Sequence, residues 1–149
     1  MGKAAELAAA KLEQGVPAAI AALRDLFESI LLEQLSGVMR NGNPEMRLPN
    51  TSHLSFEHCE AAGLLILLDE WGFACSAGSA CMAGKQHPSH VQKAMGFSDA
   101  QAKSSLRLSF THQHTEHDVR LAADAVMRAV KKLRSVQGSG VGPVVIYTP

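Results

Sequence analysis

The chain is 149 residues long, which suits one domain with its own core and leaves little room for two. Hydrophobic residues make up 46% and charged residues 19%, a balance that excludes a disordered chain. Lys+Arg and Asp+Glu number 14 each, so no net positive field points to nucleic acid or an anionic membrane.

Ala4 to Leu12 read as a helix ended by Gly15, and a second helix starts near Pro17, a residue suited to a first helical turn. Its apolar positions Ile20, Leu23, Phe27 and Ile30 form one stripe, and Gly37 suits its end. Asn41-Gly42-Asn43-Pro44 is a turn cluster. Thr51 to Phe56 alternate as a strand, and Glu60 to Asp69 read as a buried helix. Phe73-Ala74-Cys75 is a candidate short strand. Ser76 to Lys85, with small residues and two glycines, reads as a loop. Pro88-Ser89 opens a short helix that Gly96 stops. Leu106, Leu108 and Phe110 alternate with Arg107 and Ser109 as a strand. Thr115 and Asp118 resemble a capping box for a helix whose inner face is Val119, Ala122, Val126, Ala129 and Leu133. Lys131, Lys132 and Arg134 are placed at its C-terminal end, and Val144 to Tyr147 could add an edge strand. The pattern predicts an α+β fold, a two-layer sandwich of a small sheet packed on helices, with long N-terminal helices.

The longest apolar run, Ala61 to Leu68, falls far short of the ~20 residues of a membrane helix. The N-terminus lacks the apolar stretch of a secretory signal. Three cysteines, an odd number, argue for a reducing compartment and a cytoplasmic location. Cys59 and Cys75 read as small buried hydrophobes. Cys81, in a glycine-flanked polar loop, is either a nucleophile that reaches its thiolate form or an incidental loop cysteine. Cys75 and Cys81 have no partner pair, so a structural zinc site is not expected. His112, His114 and His117 lie close in sequence; the readings are a metal site or solvated histidines, and no metal is expected. Arg107, a charge in an otherwise apolar strand, either pairs with a protein carboxylate or clamps a substrate carboxylate through its planar fork.

Leu48-Pro49-Asn50-Thr51, Gly72 to Cys81, Pro88-Ser89-His90-Val91, Met95-Gly96 and Leu106 to Phe110 leading into Thr115-Glu116 are jointly specific. In order and spacing, from about Gly2 to Leu133, the chain resembles the C-terminal small-domain region of the pyridoxal-phosphate-dependent cysteine desulfurases of the nitrogen-fixation and iron–sulfur-assembly class. The resemblance implies the small domain of a fold-type I enzyme. Residues 1–37 would be connecting helices, 38–136 the small domain with a catalytic-cysteine loop at 76–85, and 137–149 a tail. It implies that Cys81 takes sulfur from L-cysteine as a persulfide, with L-alanine as product, and that Arg107 and Asn50 bind substrate. Pyridoxal 5'-phosphate would serve as electron sink. The family's cofactor lysine follows a histidine, and no lysine here does; the cofactor would therefore sit in a large domain outside this sequence, and this chain alone would be inactive. Thr111-His112 stands where the family usually has Gly-Arg, and Cys75 where it more often has Ala or Ser. The implied partners are that large domain, a sulfur-acceptor protein and a second copy of the full enzyme, with no nucleic acid and no membrane. A second hypothesis is a non-catalytic sulfur-relay or binding module that carries a persulfide on Cys81.

Overall fold

The computed structural model describes residues 1–77 and 88–138. Two helices open the chain, α1 (Gly2–Glu13) and α2 (Val16–Gln34). Gly15, at φ 72°, makes the left-handed break between them, and Pro17 sits in the first turn of α2, where its missing N–H costs nothing. Three strands follow at intervals: β1 (Val38–Arg40), β2 (Thr51–Phe56) and β3 (Ser105–Ser109). They form one antiparallel sheet in the order β1-β2-β3, with Val38 opposite Phe56 and Leu54 opposite Leu106. Between β2 and β3 come α3 (Ala61–Glu70), α4 (His90–Ala94) and α5 (Asp99–Lys103); α6 (Glu116–Gly138) closes the described chain.

Strand alternation gives the sheet two unlike faces. Leu54, Phe56 and Leu106 point to one side and are fully buried. They meet Phe27 and Leu31 of α2, Leu64 and Leu68 of α3, and Val119, Val126 and Val130 of α6. Each such side chain contributes about 1.5–3 kcal/mol by leaving water. The stripe read on α2 does face this core, with Phe27 fully buried and Ile20, Leu23 and Ile30 partly so.

The opposite face carries Thr51, His53 and Ser55 from β2 and Ser105, Arg107 and Ser109 from β3. Its Ser55–Ser105 end is covered. Asn41 Nδ2 donates to Ser55 Oγ at 2.9 Å, Gln92 Nε2 of α4 donates to Ser105 Oγ at 2.7 Å, and Ser105 Oγ donates to the Gln101 carbonyl of α5 at 2.8 Å. These bonds satisfy hydroxyls that would otherwise be buried at a cost.

The fold departs from the sequence pattern at several elements. Phe73-Ala74-Cys75 forms no strand; among the described residues the pairing there is a single bridge at Ser76. β1 was not foreseen, because three residues cannot show alternation. Nor was α5, although Ser98 and Gln101 form a full capping box. The basic trio Lys131, Lys132 and Arg134 does not end α6, which runs on to Gly138. Arg134 instead reaches across to the Ser36 and Glu57 carbonyls, at 2.9 and 3.1 Å. The Thr115–Asp118 box forms as read, with Thr115 N donating to Asp118 Oδ2 at 2.7 Å and Asp118 N to Thr115 Oγ1 at 3.3 Å. Val144 to Tyr147 lie outside the described residues.

Candidate functional site

β3 presents Arg107 on the polar face, beyond the part covered by α4 and α5, with its side chain exposed. Among the described residues no carboxylate lies within ion-pair distance of it. Its backbone pairs outward with Ser76: Arg107 N donates to Ser76 O at 2.7 Å and Ser76 N donates to Arg107 O at 3.0 Å. Ser76 begins the segment that leads to Cys81. Cys81 itself, with the rest of residues 78–87, lies outside the described residues.

Asn50 precedes β2 and is half-buried. Its carbonyl accepts from Phe110 N at 2.8 Å and its Oδ1 accepts from Thr51 Oγ1 at 3.3 Å. No hydrogen bond joins it to Arg107. The stretch before it is fastened to α2 by a group that the sequence reading missed. Glu28 is fully buried and lies between Arg47 NH2, 2.5 Å from Oε1, and Arg40 Nε, 2.6 Å from Oε2. Arg47 NH2 also donates to Thr51 O at 2.7 Å, and Arg24 NH1 donates to Leu48 O at 2.8 Å. A buried carboxylate needs such partners to remain charged. The available signal was an acidic residue beside the apolar stripe of α2, followed by two arginines flanking a turn.

Across the sheet, His53 stands opposite Arg107 in register. Burial, and then the Arg107 charge, hold its imidazole below the ordinary histidine value. Only the register discloses this pair, so sequence reasoning missed it.

Of the other cysteines, Cys59 is buried as expected, 4.0 Å from the Val130 carbonyl. Cys75 is half-buried, packed against the edge of the core rather than enclosed in it. It lines a cavity of about 350 Å³ with Phe73, Leu108, Phe110 and, at the polar side, His114 and Asp118. Burial, and then the Asp69 charge, push its thiol up to about 11. His112, His114 and His117 are all exposed. His112 Nε2 lies 3.0 Å from Lys11 Nζ, and His114 Nδ1 accepts from Thr111 N at 3.1 Å. Among the described residues no group of three His, Cys, Asp or Glu side chains comes together to hold a metal. No helix among them is long and apolar enough to cross a membrane.

Residues 1–121 match the aminotransferase class-V family. The chain belongs to that family. It is 42% identical over 135 residues to an IscS-like cysteine desulfurase of Mycobacterium tuberculosis, covering 90% of this chain and 34% of that protein. It is 38% identical over 136 residues to a cysteine desulfurase of Gluconacetobacter diazotrophicus, covering 91% of this chain and 34% of that protein. A NifS-like protein of Rickettsia africae has the same fold, with a TM-score of 0.67 and 27% identity over 78% of this chain and 29% of that one. The chain thus spans about a third of the length of the class-V relatives it matches.

The class-V cofactor, pyridoxal phosphate, needs a lysine amine to carry it and donors for its phosphate. The described residues do not fit it. Lys3, Lys11, Lys93, Lys103, Lys131 and Lys132 are all exposed. Lys103 does line a cleft of about 810 Å³, but Glu57, Glu60 and Asp99 share that cleft and would repel a phosphate. The smaller cavity beside Cys75 has no lysine or arginine in its lining.

Proposed function

We propose that this chain supplies the small domain of a pyridoxal-phosphate-dependent cysteine desulfurase, which converts L-cysteine to L-alanine and leaves the sulfur on Cys81 as a persulfide. Residues 38–136 form that domain, 1–37 connect it to a large domain that holds the cofactor, and 137–149 are its tail. One observation carries the reading. Arg107 is an exposed guanidinium without a carboxylate partner among the described residues, on a strand whose backbone is bonded to the head of the segment bearing Cys81. A planar fork held in the open suits a small carboxylate, which here is that of L-cysteine.

The tasks of this chain follow from that placement. Arg107 binds the substrate carboxylate, with Asn50 beside the start of the neighbouring strand as a second substrate contact. The Cys81 thiolate attacks the substrate sulfur. The new sulfur–sulfur bond forms as the carbon–sulfur bond breaks; the electron pair of that bond stays on carbon, where a proton completes alanine. The persulfide then passes to a sulfur-acceptor protein for iron–sulfur cluster or other sulfur-transfer work, and the full enzyme is a cytoplasmic homodimer.

A second reading, a sulfur-relay module that receives a persulfide on Cys81 without generating it, is favoured by the absence of a fit for the cofactor among the described residues. One experiment separates the two. The purified chain is incubated with L-cysteine and pyridoxal phosphate, alone and mixed with a class-V large domain, and alanine is measured. The desulfurase reading expects alanine only in the mixture. Alanine from the chain alone, or none in a mixture shown to associate, contradicts it.

A further inference from the structure

The hydrogen bonds around Arg107 and His53 fix how their side chains meet. In an antiparallel ladder the N–H and C=O of one residue point to the same side. Asn41 N donates to His53 O at 2.9 Å, so the His53 peptide groups face β1. Both Arg107 peptide groups face the other way, to Ser76. His53 and Arg107 are therefore a non-hydrogen-bonded pair, the kind in which facing side chains stand closest, with Cβ atoms about 4.5–5.5 Å apart.

The remaining residues of β2 and β3 on this face are Thr51, Ser55, Ser105 and Ser109, all short hydroxyl side chains. His53 is thus the one large side chain of these two strands able to brace the stem of Arg107. On its far side the His53 backbone is held by the Asn41 amide, and the Asn41 side chain is buried and bonded to Ser55.

We infer that His53 is a positioning residue for Arg107, holding the guanidinium away from the polar face in the orientation that receives a small amino-acid carboxylate. A neutral imidazole offers one ring nitrogen as acceptor to a guanidinium N–H without neutralising its charge. Burial and the Arg107 charge both favour that neutral form. An arginine that is already ordered loses less rotamer freedom when substrate arrives, so the effect falls on binding. The inference rests on the reading of Arg107 as the substrate-carboxylate residue.

The test has two arms. In the 149-residue chain labelled with nitrogen-15, the Arg107 Nε–H relaxation should report an ordered side chain. In His53→Ala it should fall to the values of a solvated arginine whose Nε–H has no partner, and His53→Gln, which keeps an acceptor, should restore it. His53→Leu fills the site without a ring nitrogen and takes the place of His53→Ala if that variant does not fold. In the enzyme assembled with a class-V large domain, His53→Ala should raise KM for L-cysteine about fivefold with kcat unchanged. Arg107 order and KM both unchanged in a folded variant overturn the inference. If Arg107→Lys leaves KM unchanged, the substrate-binding reading of Arg107 fails instead, whatever His53 does.

Discussion

Removing the charge of Glu28 should loosen the segment that carries Asn50 and lower the stability of the whole domain. The carboxylate is fully buried and faces two guanidinium groups, Arg40 at 2.6 Å and Arg47 at 2.5 Å. In Glu28→Gln the side-chain volume barely changes, but the Arg47 side chain, only 13% exposed, keeps a charge with no counter-ion. Breaking a buried pair in this way costs about 3–5 kcal/mol, most of it from the stranded partner. At this chain length about 2–4 °C of Tm goes with each kcal/mol, so the expected loss is about 6–20 °C. Urea unfolding followed by circular dichroism measures the first quantity, and a thermal melt the second. Hydrogen exchange should speed up at the Asn41 amide, which is bonded to His53 O, and through residues 41–50, which Arg24 and Arg47 tie down. A loss below about 1 kcal/mol, the range of a surface pair, would refute the claim that Glu28 is the anchor.

Cys75, with its thiol pushed up to about 11, should be a slow nucleophile; at pH 8 about one molecule in a thousand is thiolate. Its alkylation by iodoacetamide, followed by peptide mass analysis, should rise about tenfold per pH unit up to pH ~11, and a plateau near pH 8.5 would contradict the burial argument. Asp118 is held below the ordinary carboxylate value by hydrogen bonds from the Thr115 backbone and hydroxyl. Its contribution to stability is therefore complete above the unfolded carboxylate pKa and fades as pH falls through the lower folded value. Asp118→Asn should flatten that part of the acid limb in pH-dependent melts and leave the limb above it unchanged. Gly37→Ala should lose about 1–2 kcal/mol in urea unfolding, because φ is +64° and the new Cβ would stand 2.7 Å from Glu57 Oε2.

What could be read from the chain was whatever local pattern dictates. The stripe of Phe27, the alternation of Leu54 and Phe56, and the Thr115–Asp118 box all write their structure into neighbouring residues. β1 and α5 are too short to show a repeat: three residues and five residues each hold less than two periods, of 2 and 3.6 residues. Cys75 reads as buried because free cysteines usually are, and it is instead half-buried beside a segment whose one pairing among the described residues is a long-range bridge at Ser76. Arg107 stood out as a charge among apolar neighbours, whereas His53 did not, since a histidine in an alternating strand signals nothing until the register sets it opposite an arginine. Glu28 was hidden by the same limit. Its partners lie 12 and 19 residues away in sequence, on either side of the turn cluster, and only folding brings them to it.

The sulfur that leaves L-cysteine should end on one atom, the Sγ of Cys81. The chain, mixed with a class-V large domain, pyridoxal phosphate and L-cysteine, is trapped with an alkylating agent, digested and analysed by peptide mass without reductant. Fragmentation of the peptide spanning residues 48–85 should place one added sulfur on Cys81 and none on Cys59 or Cys75, and Cys81→Ser should lose that signal together with alanine formation. Alanine formation undiminished in Cys81→Ser, or added sulfur found on Cys75 instead, would contradict it.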